Sequence, residues 1–243
     1  HASFRFDDAD EDTLHDLTFA CRRGETTAIV GSTGSGKSTV AKLLLRFHDV
    51  TAGSIRFDGV DVCDLAQGTL RGRIAYVPQK AWLFSGTVAS NLRFGDAGAT
   101  EGEMRHALEV AQGTFVLDMP EGLETRVAQG GTNFSGGQRQ RLAIARALMK
   151  PADMYIFDDS FSALDFKTDA ALRHALADET RDAATLIIAQ RISTILHADQ
   201  IVVLKDGAVA EQGSPAQLLQ EGGIFARMVQ LQTESQSWTL AKA

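Results

Sequence analysis

Residues 26–39 read TTAIVGSTGSGKST, and this stretch determines the class of fold. Apolar, mostly β-branched residues at 27–30 predict a buried strand, and the apolar face between Val40 and Phe47 predicts a helix. The loop between them has the spacing G-x-x-x-x-G-K-S, which is typical of phosphate-binding loops. Glycines let the backbone point successive N–H groups at an anion, and the next helix adds the positive end of its dipole. A flexible linker is the disfavoured alternative, because linkers rarely join a buried strand to a helix.

The loop therefore predicts a site for the polyphosphate of a nucleoside triphosphate. In such a site the Lys37 ammonium contacts the β- and γ-phosphates, and the Ser38 hydroxyl ligates Mg²⁺. The predicted triphosphate-binding residues of the loop are Gly31, Ser32, Thr33, Gly34, Ser35, Gly36, Lys37, Ser38 and Thr39.

Composition narrows the class of protein further. The chain has 243 residues, 44% of them hydrophobic and 23% charged, as is ordinary for a globular protein. Its formal net charge of −7 argues against a general nucleic-acid binder, so no nucleic-acid partner is expected. Two cysteines are too few for a disulfide framework, no apolar run is long enough to span a bilayer, and no signal peptide is recognisable. The opening His1-Ala2-Ser3 indicates a cut through a longer sequence.

The order of predicted elements indicates an α/β fold with a mainly parallel sheet and helices on both faces. Strands are predicted at 4–6, 73–77, 154–157 and 186–189, with hairpins about Asp58-Gly59 and Asp206-Gly207. Helices are predicted at 166–177 and 215–230, and the segment 87–149 is predicted to be mostly helical, with glycine-rich breaks at 95–98 and 130–131. We expect a core of residues 1–86 and 150–232, a helical insertion at 87–149 and a loose tail at 233–243.

A second set of motifs lies in the latter half of the chain. Asn133-Phe134-Ser135-Gly136-Gly137-Gln138 precedes a predicted helix, and Ser-Gly-Gly at a helix start is either a plain N-cap or a second anion site. The strand at 154–157 then leads into Asp158-Asp159, and Ser162-Ala163-Leu164-Asp165 follows.

With these motifs in this order, the chain resembles the nucleotide-binding domain of ABC transporters from Phe4 to about Gln232. The resemblance implies a P-loop NTPase (RecA-like) core, an antiparallel β edge subdomain and an inserted helical subdomain. It also implies ATP and Mg²⁺ as ligands, and a second nucleotide-binding domain as a head-to-tail partner. Each ATP then lies between the phosphate loop of one domain and the signature of the other, which here is Ser135, Gly136, Gly137 and Gln138.

The resemblance assigns roles to four further residues. Asp158 would hold Mg²⁺ through water, and Gln79 would contact the same ion or the attacking water, so the implied metal set is Ser38, Gln79 and Asp158. Asp165 would lie at the dimer seam. Phe6 would stack on adenine, or it is simply a core residue.

The run 77–87, VPQKAWLFSGT, resembles the exporter branch, in which this region meets coupling helices of a transmembrane domain. Such a domain would hold the chain at the cytoplasmic face of the cell membrane. Trp82, Leu83 and Phe84 are hard to bury together, so we expect an exposed apolar patch; the alternative is a surface that packs on its own core.

Two residues depart from the family pattern at the hydrolytic centre, where the implied catalytic set is Asp159, Gln190, Gln79 and Lys37. Asp159 stands where the general base is usually Glu, and Gln190 stands where the switch residue is usually His. Loss of a well-placed base costs about 10²–10⁴ in rate. The pair resembles the degenerate half of heterodimeric ABC exporters, whose partner chain carries Glu and His. The alternatives are a competent homodimer and a soluble ABC protein that acts as a nucleotide switch.

Overall fold

The computed structural model describes residues 1–240, with side chains as far as residue 233. In chain order the strands are β1 (Ala2–Phe4), β2 (Leu14–Leu17), β3 (Thr26–Gly31), β4 (Arg56–Phe57), β5 (Val60–Asp61), β6 (Ile74–Val77), β7 (Gly86–Thr87), β8 (Arg126–Val127), β9 (Met154–Asp158), β10 (Ala184–Ile188), β11 (Gln200–Lys205) and β12 (Ala208–Gly213). The α-helices are α1 (Lys37–Leu44), α2 (Gln67–Gly72), α3 (Val88–Leu92), α4 (Glu101–Val110), α5 (Gly136–Leu148), α6 (Phe166–Glu179), α7 (Pro215–Glu221) and α8 (Ile224–Leu240).

A six-stranded sheet carries the predicted phosphate loop. Its strand order is β12-β11-β3-β10-β9-β6, and every neighbouring pair is parallel except β11 and β12. The strands β9 and β10 are buried along their whole length, as their apolar runs require in a sheet covered on both faces. The predicted α/β fold with a mainly parallel sheet is confirmed.

Small antiparallel pairs lie beside the main sheet. β1 pairs with β2, and β4 pairs with β5 across the predicted Asp58-Gly59 turn, where both residues have positive φ (51° and 81°). The same left-handed pair recurs at Asp206-Gly207 between β11 and β12, as a two-residue hairpin turn requires. The predicted antiparallel edge is therefore present, although its first strand is residues 2–4 rather than 4–6.

Two apolar layers cover the two faces of the sheet. One layer includes Ile29, Leu43 and Leu186 and packs α1 and the antiparallel edge against the sheet. The other joins Val30 and Phe157 to the buried faces of α3, α4, α5 and α6. The inserted helices thus share one continuous core with the sheet, and the domain boundaries at residues 87 and 149 stay a prediction.

The predicted breaks at Gly95–Gly98 and Gly130-Gly131 are present, but the prediction of mostly helix at 87–149 is wrong for residues 111–129. Three α-helices do lie in the segment, but between α4 and α5 the chain forms short 3-10 turns and the strand β8, which pairs with β7. Positive φ values at Gln112, Gly122, Gly130 and Gly131 interrupt any regular helix there.

Helix ends also differ from the predictions. The first helix ends at Leu44 rather than Phe47, because Arg46 adopts a left-handed φ of 51°, and Phe47 is half exposed rather than on an apolar face. The predicted helix 215–230 is two helices, divided at Gly222 with φ 70°. The chain from 234 to 240 continues α8 where a loose tail was predicted, since α8 contains no glycine or proline; residues 241–243 lie outside the described residues. Among the helices that the structure describes, none combines the length and apolar character needed to cross a bilayer.

Candidate functional site

The phosphate loop between β3 and α1 depends on two glycines that allow close packing. A Cβ on Gly31 would stand 2.2 Å from the Leu204 carbonyl oxygen, and a Cβ on Gly36 would stand 2.3 Å from a methyl carbon of Leu14. Gly36 is also the N-cap of α1 at φ 96°, and among the side chains that the structure describes none bonds the first N–H groups of this helix. These N–H groups are therefore available to an anion, as the loop motif predicts.

Lys37 is folded back onto its own loop. Its Nζ donates to the Gly31 carbonyl at 2.9 Å and to the Ser32 carbonyl at 2.7 Å. Burial lowers the pKa of Lys37, while the nearby carboxylates of Asp159 and Asp158 act in the opposite direction. The ammonium can exchange two carbonyl oxygens for phosphate oxygens without crossing the site.

Asp158 ends β9 directly beneath the loop. Its carboxylate accepts from the Ser38 hydroxyl at 2.9 Å and from the Tyr76 hydroxyl at 3.2 Å. Burial raises the pKa of Asp158, and the two hydrogen bonds partly offset that rise. Ser38 and Asp158, which are the core of the predicted metal set, are therefore in direct contact.

Tyr76 is a site residue that the sequence reasoning missed. It lies on β6 opposite Ile156 of β9, so its half-buried ring reaches the carboxyl end of the neighbouring strand. Burial and the adjacent Asp158 raise its pKa, so the hydroxyl remains a donor. The available signal was a lone hydroxyl in the apolar run 74–77, two residues before Pro78 and three before Gln79.

Asp159 turns the chain sharply after β9. Its φ is 47°, in the left-handed region that Asp enters more readily than most residues, and its N–H donates to the Ile188 carbonyl at 2.8 Å. Its carboxylate accepts from Gln79 Nε2 at 3.1 Å. The structure thus brings together two members of the predicted catalytic set.

Residues of the phosphate loop, together with Gln79, Asp158 and Asp159, line one cleft of about 250 Å³ at the carboxyl end of the sheet. Gln190, two residues beyond the end of β10, also lines it, as does Thr13, which sequence reasoning missed because it lies outside every motif. The predicted residues on the cleft wall are Thr33, Gly34, Gly36, Lys37, Ser38, Thr39, Gln79, Asp158, Asp159 and Gln190. Ten predicted site residues from separate segments of the chain therefore lie on the wall of one cleft.

Other predicted residues lie off the cleft wall. Gly31 and Ser32 face Lys37 through their carbonyls, and Ser35 is buried with a hydroxyl that has no hydrogen-bond partner within the described part of the chain. Phe6 packs edge-on against Phe4 at 4.7 Å and against His48 at 5.3 Å. Its ring is half buried, so the adenine role stays a prediction.

The signature residues form the start of α5, away from the cleft wall. Ser135 is the N-cap and bonds Gln138 reciprocally: the Ser135 N–H donates to the Gln138 side chain at 2.9 Å, and the Gln138 N–H donates to Ser135 Oγ at 3.2 Å. A Cβ on Gly136 would meet no described atom within 4 Å, whereas one on Gly137 would lie 3.1 Å from the Ala163 carbonyl oxygen. The helix start therefore presents open space beside Gly136.

Asp165 caps α6 in an analogous way. Its carboxylate accepts from the Thr168 N–H at 2.9 Å and from the Thr168 hydroxyl at 2.7 Å, and these bonds lower its pKa. The described contacts of Asp165 are those of a helix cap on an exposed loop, and its place at a dimer seam stays a prediction.

An exposed aromatic patch lies beyond Gln79 and consists of Trp82, Phe84 and Phe94. These side chains are 54%, 41% and 68% exposed, and the rings of Phe84 and Phe94 stack at 4.3 Å. Leu83 between them is fully buried. The predicted exposed apolar patch is therefore present, and the alternative of a surface that packs on its own core is wrong for these three aromatic residues.

Comparisons with known proteins agree with this site. Residues 14–162 match the ABC transporter family. An uncharacterized ABC transporter ATP-binding protein of Mycobacterium tuberculosis is 47% identical over 96% of the chain and 40% of its own length. The ATP-dependent lipid A-core flippase of Chromobacterium violaceum is 43% identical over 95% of the chain and 40% of its own length. Mouse ATP-binding cassette sub-family B member 6 is 42% identical over 93% of the chain and 27% of its own length.

A solved structure gives the same answer for the fold. The structure of a bacterial Atm1-family ABC exporter with ATP bound matches with a TM-score of 0.91 and 39% identity, over 95% of this chain and 41% of that one. The chain thus spans about two fifths or less of the length of the relatives it matches. The phosphate loop, the Asp158 contact and these matches show that the chain belongs to the ABC transporter family, as the ATPase domain of that family.

Proposed function

We propose that this chain binds MgATP, pairs head to tail with a second nucleotide-binding domain, and powers export through a transmembrane domain outside this chain. One observation carries the proposal: the Ser38 hydroxyl and the Asp158 carboxylate meet at 2.9 Å beneath an uncapped helix start. Such a pair places a metal-ligating hydroxyl and a carboxylate where a phosphate loop needs them.

The oxygens in the cleft suit Mg²⁺, which prefers oxygen ligands. Ser38 and Asp158 would hold the ion, and Gln79 has a side-chain oxygen available while its nitrogen donates to Asp159. When bound, Mg²⁺ neutralises charge that develops on the phosphate oxygens. The chain's own Lys37 adds a positive charge at the same place and orients the phosphates.

We infer that the chain's own site hydrolyses ATP slowly. Asp159 is one methylene shorter than Glu, and its carboxylate is already engaged by Gln79 at 3.1 Å. Gln190, which also lines the cleft, can donate a hydrogen bond but cannot carry a proton or a charge. The phosphate-binding parts are intact, so nucleotide is held while the proton-transfer step lacks support.

The exposed start of α5 would then complete the site of a different chain. Ser135 and Gly136 are exposed, and the space beside Gly136 is open. The positive end of α5 and its first N–H groups suit the γ-phosphate of an ATP held by the partner. We propose that this partner carries Glu and His where this chain has Asp159 and Gln190.

The patch of Trp82, Phe84 and Phe94 is proposed as the contact for the coupling helices of the transmembrane domain. The Arg146 guanidinium lies 5.3 Å from the centre of the Phe84 ring and donates to the Trp82 carbonyl at 3.0 Å. Arg146 therefore links these two members of the patch and stabilises their arrangement. A contact of this kind would place the chain at the cytoplasmic face of the membrane. Exposed aromatic rings in one cluster favour a protein partner over solvent.

The test is the steady-state ATPase activity of the chain beside that of an Asp159→Glu, Gln190→His double variant. We expect a nearly silent wild type that binds MgATP and a double variant that gains about 10²-fold or more. Adding Lys37→Ala to the double variant must abolish the gain, which excludes a contaminating ATPase. A wild type that hydrolyses briskly, with no gain in the double variant, supports the competent homodimer instead. Absence of MgATP binding by the wild type would refute the nucleotide-binding role itself.

A further inference from the structure

The backbone around Arg191 is held from two sides. This segment, residues 190–192, follows β10 and places Gln190 on the wall of the cleft. On one side it meets α8, and on the other it meets the loop 162–165, which leads into α6. Both contacts are specific hydrogen bonds, so the position of the segment is determined by named atoms.

Gln232 of α8 makes the first contact. Its side-chain oxygen accepts from the Ile192 N–H at 2.8 Å, and its side-chain nitrogen donates to the Gln190 carbonyl at 2.9 Å. The amide thus bonds both neighbours of Arg191 at once, as the peptide group of an adjacent strand would. Because the contact is to main-chain atoms, it holds the segment whichever side chain occupies position 190.

Arg191 makes the second contact. Its two terminal nitrogens donate to the Leu164 carbonyl at 2.9 Å and to the Ser162 carbonyl at 2.8 Å, and its guanidinium lies 5.4 Å from the centre of the Phe166 ring. A planar fork that bonds two carbonyls fixes their relative orientation in a way that a lysine could not. The loop 162–165 therefore follows the position of Arg191.

Gln232 is not needed to dock α8 on the domain. The beginning of that helix is already anchored, since Phe225 is fully buried and the Glu211 carboxylate accepts from the N–H groups of Ile224 and Phe225. Gln232 lies two turns further along and is half buried. Because Gln232 lies this far from the anchored start of α8, its two hydrogen bonds to main-chain atoms position the segment 190–192 rather than the helix.

We propose that Gln232 is a positioning residue: it holds Gln190 at the nucleotide cleft and, through Arg191, sets the loop 162–165 that the proposed function places at the dimer seam. The inference rests on the proposed function for its consequence in turnover, but the clamp itself is independent of nucleotide. The last helix of the chain thereby acts on the reaction without touching the substrate.

The first test measures hydrogen exchange without nucleotide. Gln232→Met keeps the size and helix propensity of the side chain and removes both hydrogen bonds. We expect the Ile192 amide to exchange about fivefold or more faster, with faster exchange also across residues 162–165, because each lost bond had opposed opening. The control is Thr233→Ala, whose hydroxyl bonds the Val229 carbonyl within the same helix, and it should exchange like the wild type.

A second variant tests whether Arg191 links the Gln232 contact to the loop 162–165. Arg191→Lys should loosen residues 162–165 while the Ile192 amide stays protected, because the Gln232 clamp acts on the main chain. Unchanged exchange at Ile192 in Gln232→Met, or unchanged exchange at 162–165 in both variants, would overturn the proposal.

The third test measures turnover in the Asp159→Glu, Gln190→His background. Gln232→Met should lower kcat about fivefold or more and leave the MgATP concentration for half-maximal rate within about twofold, because the phosphate loop is untouched. A raised half-maximal concentration with unchanged kcat would overturn the positioning role. If this background has no activity at all, the proposed function fails, and the exchange experiment still decides the clamp.

Discussion

Replacement of Gly136 by alanine should make the fold more stable and the nucleotide-dependent assembly weaker. Gly136 is the first residue of α5, after the N-cap Ser135, and its φ is not positive. A Cβ at this position meets no atom of residues 1–233 within 4 Å. The isolated chain can therefore accept the methyl group without strain.

The size of both effects follows from this geometry. Glycine-to-alanine changes at unstrained positions stabilise by about 0.4–1 kcal/mol, because the unfolded chain loses freedom. In a domain of this size that corresponds to a rise in Tm of roughly 1–4 °C. If the open space beside Gly136 receives a phosphate from the partner's ATP, the methyl group displaces it. One lost charge-assisted bond of about 1.5–3 kcal/mol weakens assembly by roughly ten- to a hundredfold.

The assay pairs thermal unfolding with sedimentation of the chain in MgATP, at a concentration at which the wild type self-associates. Two copies paired head to tail stand in for the proposed pair of different chains, because each copy presents its Gly136 to the ATP held by the other. The matched control is Gly102→Ala in the first turn of α4, where a Cβ would have one neighbour, the Thr100 hydroxyl, at 4.0 Å. Both variants should gain stability, and only Gly136→Ala should lose association. Equal association in the two variants would refute the reasoning, because a signature face that tolerates a methyl group cannot be cradling a phosphate.

Three further outcomes are expected. Lys37→Ala should weaken ATP binding about a hundredfold, because a charged contact to two phosphates is lost; titration with a fluorescent ATP analogue measures this, and unchanged affinity would contradict it. Burial raises the pKa of Cys21 to about 11, so its thiolate fraction and its rate of alkylation should rise about tenfold per pH unit between pH 7 and 10; if the thiol were ordinary, with a pKa of about 8.5, peptide mass spectrometry would show the rate levelling off above about pH 9. Tyr76→Phe removes a donor to the buried Asp158 and should lower Tm by about 2–4 °C, whereas an unchanged Tm would mean that the 3.2 Å contact contributes nothing.

The sequence predicted the order of strand, phosphate loop and helix from residue 26 onward because its signals are local, although the helix was predicted at 40–47 and is Lys37–Leu44. Strand residues, glycines and Lys37 lie next to each other in the chain, and each favours the same conformation. The hairpin turns at Asp58-Gly59 and Asp206-Gly207 were predictable for the same reason.

Contacts between distant segments could not be predicted in the same way. The hydrogen bond from Tyr76 to Asp158 depends on the register of β6 against β9, and the Gln232 clamp depends on where α8 returns to the domain. The prediction for residues 111–129 failed for a different reason: apolar residues there follow a roughly helical spacing, but positive φ values at Gln112 and Gly122 divide the segment into turns. Propensity alone does not reveal which glycines adopt those values.

The place of β3 in the sheet has a consequence for how the protein is made. β3 carries the phosphate loop, yet both of its neighbours come late: β10 begins at Ala184 and β11 ends at Lys205. At a synthesis rate of about 5–20 residues per second, the newly made β3 waits roughly ten to thirty seconds before either neighbour exists. During translation the apolar run 27–30 is therefore an unpaired strand, exposed to other nascent chains and to chaperones. A chain whose synthesis ends before β10 has the whole phosphate loop but lacks both strands that flank β3 in the sheet.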